Sequence, residues 1–230
     1  MPYFLHLETS TEYCSVAISD NQTVLACIEE NGEGVHSSRI TLLIEDCLLQ
    51  ANVPMSSLAA IAVSIGPGSY TGLRIGVSTA KGLAYALNIP LIAVPTLEMV
   101  AQGGKADCPS SECLIVATLD ARRMDAYTAI YDYDLNLIVT PDTLTFTLDT
   151  FGAYANKALH FCGNAAPKLE ALGQQAQQTF SKSIQNSARH MAEIAYKRFT
   201  ANDFADTAYV EPFYLKPPNI TVSKKGIATG

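Results

Sequence analysis

Charged side chains are scarce in this chain of 230 residues. They make up 16% of it, where an ordinary soluble protein has about 25%. The 15 Lys and Arg against 22 Asp and Glu leave a net charge of −7. Gripping a phosphate backbone requires clustered cations, so we expect any nucleic acid to be held mainly by a partner.

Long apolar runs and targeting segments are also missing from the sequence. The longest apolar run, residues 58–63, is far shorter than the roughly 18 residues that a membrane span needs, and the first basic residue is Arg39. No stretch fits a signal or transit peptide. We therefore expect a cytoplasmic protein without a membrane contact, with a core large enough for one large domain or two small ones.

Cysteine and histidine lack the spacings of metal sites. The six cysteines include no C-x-x-C pair, and the four histidines are dispersed. The cysteines are expected to be reduced and mostly buried, and no metal site is predicted.

The first half of the chain carries strand and helix patterns in a clear order. The predicted elements are strands at about 4–8, 13–19 and 23–29, an amphipathic helix at 36–50, a buried strand at 60–65, a helix at 70–87, a strand at 90–94 and a helix at 96–102. The three opening strands are expected to be antiparallel. Residues 103–111, rich in Gly, Pro and Ser, are the plausible linker.

The pattern then starts again. Adding 112 takes Leu7-Glu8 to Leu119-Asp120 and Leu25 to Leu137 without a gap, which indicates two copies of one βββα unit, the alternative being a chance match of alternating apolar residues. We expect an α/β protein with lobes at 1–104 and 105–211, the second smaller. Three helices are predicted in the second half, at about 147–156, 165–176 and 187–200, and a loosely attached tail at 212–230.

A glycine-rich block, residues 66–76, lies between a predicted strand and a predicted helix. That place favours an anion at the helix N-terminus, but the glycine spacing fits neither G-x-G-x-x-G nor Walker A. The alternative is a tight structural turn, with Ser69 and Thr71 as helix caps.

Small residues recur every fourth position along the helix that follows. This stripe, Gly72, Gly76, Ala80 and Ala84, allows another backbone to approach closely, and the spacing leaves open whether the neighbour lies in this chain or in a partner. On helix 36–50, Leu42 and Leu49 lie opposite the main apolar face; they are either ordinary exposed surface or part of a subunit interface.

Two carboxylates end the equivalent strands of the repeat, Glu8 and Asp120. Facing one cleft, they would suit a magnesium nucleotide, with Arg122 or Arg123 on phosphate. The alternative is that the two arginines are solvated turn residues.

Several of these segments resemble one known family. They are residues 7–11 with 15–18, the glycine block 66–76, Asp120-Ala121-Arg122-Arg123 with Tyr127, and Tyr214-Leu215-Lys216. Together they are similar to the TsaB (YeaZ) family over nearly the whole chain. The resemblance implies the actin/sugar-kinase/Hsp70 ATPase fold, which is ribonuclease H-like, with two related lobes.

The resemblance also implies a function. TsaB proteins take part in threonylcarbamoylation of adenosine 37 in tRNAs that read codons beginning with A. They act as catalytically silent relatives of the transferase TsaD, with which they form a heterodimer, and the ATPase TsaE is a further partner. Helices 36–50 and 70–87 are expected to form the interface with TsaD and, when TsaD is absent, a homodimer. The tRNA is expected to be contacted only through the complex. No cofactor is required by the chain itself, although ATP or ADP with magnesium at the interface is compatible with this assignment.

The expectation that the chain is catalytically silent depends on two metal-binding histidines of the transferase. They stand in a His-x-x-x-His motif on the helix equivalent to 36–50. In this chain His36 is present, but the position four residues later is Ile40. Because the second metal ligand is missing, the resemblance implies a scaffold rather than an enzyme. Two other positions depart from the family: Glu8 stands where Asp is more frequent, which puts a magnesium role in doubt, and Lys216 where Arg is more usual.

These arguments give two sets of candidate site residues. The predicted partner interface comprises His36, Arg39, Leu42, Leu43, Leu49, Gly72, Gly76, Ala80 and Ala84. The candidate remnants of a nucleotide site are Glu8, Thr9, Thr11, Ser69, Thr71, Asp120, Arg122, Gly163 and Asn164. A bulky residue at Gly76 or Ala80 is expected to abolish heterodimer formation while the monomer stays folded.

Two other functions remain as alternatives. A small ATP-dependent kinase or ATPase would use Glu8 and Asp120 around magnesium and the turn at Gly163-Asn164 against adenosine. A peptidase-like hydrolase is disfavoured, because the chain offers neither the metal pair nor a catalytic triad.

Overall fold

The first half of the chain builds a five-stranded mixed sheet. In this computed structural model, which describes residues 2–32, 34–173, 177–182 and 185–216, the strand order is β3-β2-β1-β4-β5. The strands are β1 (Tyr3–Glu8), β2 (Tyr13–Asp20), β3 (Thr23–Asn31), β4 (Leu58–Gly66) and β5 (Leu91–Pro95). The first three are antiparallel, and β4 and β5 run parallel to β1, so the predicted opening is confirmed.

The second half repeats this sheet. Its order, β10-β9-β6-β7-β8, has the same topology. The strands are β6 (Leu114–Asp120), β7 (Asp125–Tyr131), β8 (Leu137–Thr145), β9 (Leu159–Cys162) and β10 (Gln178–Phe180). The 112-residue repeat is therefore real, but its register differs: Leu7 faces Val16, whereas Leu119 faces Tyr127. The second hairpin is one residue tighter than the first.

Two long helices cover one face of the first sheet. They are α1 (Val35–Ala51) and α2 (Tyr70–Leu87), which contact each other and the strands beneath them. Their apolar faces join the β1, β2 and β4 side chains in one core. The helices predicted at 36–50 and 70–87 are both confirmed.

A second core lies on the other face of the first sheet, between the two halves. It is formed by α3 (Thr96–Lys105) and α5 (Ala192–Thr200). Phe4 of β1 packs edge-on against Phe199 of α5, with ring centroids 5.1 Å apart. The helix near the end of the chain thus returns to the first sheet, preceded by a 3₁₀ turn, Ala188–Met191.

Four predicted segments differ from the structure. Residues 147–156 contain only a 3₁₀ turn, Gly152–Tyr154, and the helix predicted at 165–176 is the five-residue α4 (Ala166–Glu170), its last positions, 174–176, lying outside the described residues. Helix α3 continues to Lys105, so the predicted linker begins inside a helix. Residues 212–216 are bonded to both lobes rather than loosely attached, and 217–230 lie outside the described residues.

None of the helices among the described residues combines the length and the hydropathy that crossing a bilayer requires.

Candidate functional site

A cleft of about 1230 Å³ opens where the two lobes face each other. Its first-lobe wall is made by the β1–β2 loop, the glycine block and the start of α2. Its second-lobe wall is made by the β6–β7 turn and Asn164, and residues 214–216 also line it. The β1–β2 loop and the end of β6 thus face the same cleft.

The glycine block forms a tight turn packed against the β1–β2 loop. Ser69 donates its backbone N–H to the carbonyl of Ser10 at 2.6 Å, and the Ser69 hydroxyl accepts from the N–H of Gly72 at 3.2 Å. Ser69 is therefore the N-cap of α2. Thr71 lies inside α2, exposed and lining the cleft, so it is not the helix cap.

The first predicted carboxylate is sealed in the core. Glu8 is 0% exposed and accepts hydrogen bonds from the backbone N–H of Ser10 at 2.7 Å and from the Ser10 hydroxyl. That hydroxyl in turn accepts from Asn186 at 3.0 Å. Burial raises the pKa of the Glu8 carboxyl, against the Ser10 hydrogen bonds, which lower it. Glu8 does not line the cleft, so its proposed role as a magnesium ligand there is wrong.

This burial predicts a pH-dependent effect of Glu8→Gln. A raised pKa in the folded state means that the protonated carboxyl stabilises the fold at low pH, and that this stabilisation is lost as the pH rises through the folded-state pKa. Gln keeps the shape and carries no charge. The variant's melting temperature relative to the parent is expected to rise from pH 5 to pH 8. Glu45→Gln, on the exposed side of α1, is the control, and an equal pH response of the two variants would contradict the assignment.

The small-residue stripe faces the interior of this chain. A Cβ at Gly72 would collide with the carbonyl oxygen of Thr9, and one at Gly76 with its hydroxyl oxygen. Ala80 and Ala84 are 0% and 2% exposed. The prediction that these four residues contact a partner is wrong, because the β1–β2 loop and the core already occupy the space beside them. Thr9, 0% exposed, is likewise absent from the cleft lining.

The rest of the predicted interface divides into buried and exposed positions. Leu43 is 1% exposed and belongs to the core, whereas Leu42 and Leu49 are 43% and 79% exposed. The Arg39 Nε lies 3.1 Å from the Glu30 carboxylate. His36 lines the cleft, its Nε2 3.1 Å from the Tyr13 carbonyl oxygen. Leu42 and Leu49, with Tyr85 of α2 at 84% exposed, remain as apolar surface.

The second carboxylate does lie at the cleft. Asp120 Oδ1 accepts from the Arg122 N–H at 2.5 Å and from Lys168 at 2.7 Å, and the Asp120 N–H donates to Asn164 Oδ1 at 2.8 Å. Gly163 adopts φ 92° and packs on the Thr118 carbonyl, where a Cβ would collide. Gly163 therefore shapes the turn, and Asn164 reaches the cleft.

Arg122 and Arg123 form a strained turn at the cleft mouth. Both have left-handed backbones, with φ of 72° and 51°, and both side chains are exposed. Neither guanidinium has a hydrogen bond or ion pair with a described residue, so both can contact an anion or solvent.

Sequence reasoning missed the groups that complete this site. Lys168 neutralises Asp120, Lys216 reaches Asp125 at 2.7 Å, and Tyr214 lies on Tyr70 with ring centroids 4.8 Å apart. The sequence indicates Lys216 and Tyr214 only through the family resemblance. Lys168 carries no signal, because its contact with Asp120 spans 48 positions. In the part of the chain that the structure describes, no three His, Cys, Asp or Glu side chains converge as a metal-binding group.

The comparison with known families identifies this architecture. The model of the family described as "TsaD: tRNA N6-adenosine threonylcarbamoyltransferase" matches residues 28–211, well over half of the chain. The chain is also 38% identical over 132 residues to the tRNA threonylcarbamoyladenosine biosynthesis protein TsaB of Escherichia coli, covering 57% of this chain and 56% of that protein. The chain belongs to the TsaB (YeaZ) branch of the TsaD family.

Solved structures agree with this membership. YeaZ from Pseudomonas aeruginosa superposes with a TM-score of 0.80 at 26% identity, over 94% of this chain and all of that one. An inorganic polyphosphate/ATP-glucomannokinase from Arthrobacter, 10% identical over 86% of this chain and 99% of that one, has a TM-score of 0.54 and shares the fold alone. The predicted actin/sugar-kinase/Hsp70 fold of the TsaB branch is confirmed. The matches with curated TsaB proteins span a little over half of those proteins' length.

Proposed function

We propose that this chain is a non-catalytic subunit of the machinery that makes threonylcarbamoyladenosine at position 37 of tRNA, and that it acts by binding the transferase TsaD. The observation that carries the proposal concerns α1, the helix equivalent to the one on which the transferase has its two metal-binding histidines. Ile40 is 3% exposed in the core, and His36 is bonded to the Tyr13 carbonyl. A single imidazole that is already hydrogen-bonded does not supply the two histidine ligands of the transferase's metal pair.

The surface proposed to contact TsaD is the outer side of α1 and α2. Leu42, Leu49 and Tyr85 give it exposed apolar side chains of the type that is buried at subunit interfaces. The same surface would support a homodimer when TsaD is absent. TsaE is proposed as the further partner, and tRNA as a ligand of the complex rather than of this acidic chain alone.

Reconstituted threonylcarbamoyl transfer tests the proposal. An unmodified tRNA that reads codons beginning with A is incubated with the donor-forming enzyme, TsaD and TsaE, with or without this chain. Omission of the chain is expected to lower modification at least tenfold, and the chain alone is expected to modify nothing. Equal modification in both reactions would contradict the proposal.

A nucleotide in the cleft is a second, separate proposal. Thr11, Ser69, Asp120, Arg122 and Asn164 all line it. A helix N-terminus on one wall and exposed guanidiniums on the other are both groups that suit a phosphate. ATP or ADP with magnesium would bind here without Glu8. Calorimetric titration of ADP with magnesium tests this, with Arg122→Ala expected to weaken binding about tenfold. Turnover of ATP by the isolated chain would instead favour the kinase alternative.

A further inference from the structure

Residues 213–216 run along the cleft, bonded to the first lobe at their start and to the second lobe at their end. Their start is fixed to the end of β4, where the Phe213 N–H donates to the Ile65 carbonyl at 2.6 Å. The next residue of β4 leaves no free space on this side, since a Cβ at Gly66 would collide with the Phe213 carbonyl oxygen. The segment is therefore packed backbone to backbone against the first lobe.

Its middle is held by the start of α2. The Tyr214 ring lies on the Tyr70 ring with 4.8 Å between centroids, and Arg74 Nε donates to the Tyr214 hydroxyl at 3.2 Å. The Arg74 guanidinium also sits 4.0 Å from the Tyr70 ring centroid. Several independent contacts of this kind anchor the segment to the first lobe.

Its end contacts the second lobe through an ion pair. Lys216 Nζ lies 2.7 Å from Asp125 Oδ2 at the start of β7, and the two side chains are 38% and 32% exposed. Asp125 is itself positioned by Thr145, whose hydroxyl donates to Oδ1 at 2.6 Å. A partly exposed pair of this kind shifts an equilibrium by no more than about fivefold.

We infer that residues 213–216 form a strap that closes the cleft: it stays on the first lobe, and the Lys216–Asp125 pair latches it reversibly to the second. The chain also crosses between the lobes at two other places, from α3 to β6 and from β10 to the Ala188–Met191 turn. Helix α3 and this turn pack against each other. These crossings provide a hinge, and the strap joins the two walls of the cleft. Because the single ion pair is weaker than the first-lobe anchor, opening is expected to break it first.

This inference concerns lobe closure and does not depend on the function proposed above. Spin labels on p-acetylphenylalanine introduced at Glu12 and Arg123 report the distance across the cleft, because these exposed positions lie on opposite walls. Such labels leave the six native cysteines untouched. Double electron–electron resonance then gives the distribution of distances in the full chain.

The charges of the latch are reversed singly and together. Lys216→Glu and Asp125→Lys are each expected to raise the population of longer distances about two- to fivefold, and the double variant is expected to restore the parent distribution. Lys157→Glu, at an exposed lysine of the second lobe, controls for the change in net charge. Lys216→Ala serves as the milder second variant, and circular dichroism verifies that each variant is folded. Unchanged distances in both single variants, or no restoration in the double variant, would overturn the inference.

Discussion

Replacing Gly76 by Leu is expected to destabilise the chain itself by about 3 kcal/mol or more. A Cβ at this position already collides with the Thr9 hydroxyl oxygen and lies 3.2 Å from Thr9 Cγ2. Thr9 is buried and β-branched, so it has little freedom to move aside. Urea denaturation followed by circular dichroism measures the loss, and a folded Gly76→Leu monomer of unchanged stability would show that the loop yields.

The same helix supplies a matched control for this substitution. Gly82 is also inside α2, but a Cβ there meets nothing within 4 Å. Gly82→Ala is therefore expected to stabilise the chain by about 0.5–1 kcal/mol, the ordinary gain in helix propensity. Gly76→Ala should show the opposite sign, because the collision outweighs that gain, and combining it with Thr9→Ala should recover part of the loss.

These two glycines also show where sequence reasoning succeeds and where it stops. The helix at 70–87 is indicated by the strand and glycine-rich turn before it and by small residues at every fourth position. An internal shift of 112 residues indicates two equivalent lobes, which the two sheets confirm. Both are local patterns repeated along the chain. The neighbour of Gly76 is a loop about 67 positions earlier in the sequence, and spacing within a helix carries no information about which surface will occupy its groove.

The cleft was predictable to a similar extent. The repeat suggested one cleft flanked by equivalent strand ends, and Asp120 and the glycine block do line it. The position of Glu8 was not predictable, because an isolated sequence does not reveal that Ser10 of the β1–β2 loop folds back to bond its carboxylate and that Asn186 bonds Ser10 in turn. The strap was missed for the same reason: Lys216 and Asp125 are 91 positions apart, and neither belongs to a periodic element that connects them.

The second large expected effect is on binding to TsaD, and it follows from the exposed side chains of α1. With the stripe and Leu43 assigned to the core, the proposed binding to TsaD would use the side chains that α1 and α2 expose. Leu42 and Leu49 lie seven residues apart on one face of α1, and together they present apolar area without a partner among the described residues. Because both are exposed, polar replacements there should leave the monomer stable.

The double variant Leu42→Asp/Leu49→Asp is therefore expected to bind TsaD at least 100-fold more weakly, a loss of about 2.7 kcal/mol, because two buried apolar contacts would become buried charges. Calorimetry or analytical ultracentrifugation of the mixed subunits measures the affinity. Ile138→Asp, on the edge strand β8 at 51% exposure, makes one such apolar-to-Asp change on the other lobe and should bind as the parent does. If the double variant and the Ile138 variant bind TsaD equally well, α1 is not at the interface. If only the double variant loses both binding and tRNA modification, the modification requires association through this helix.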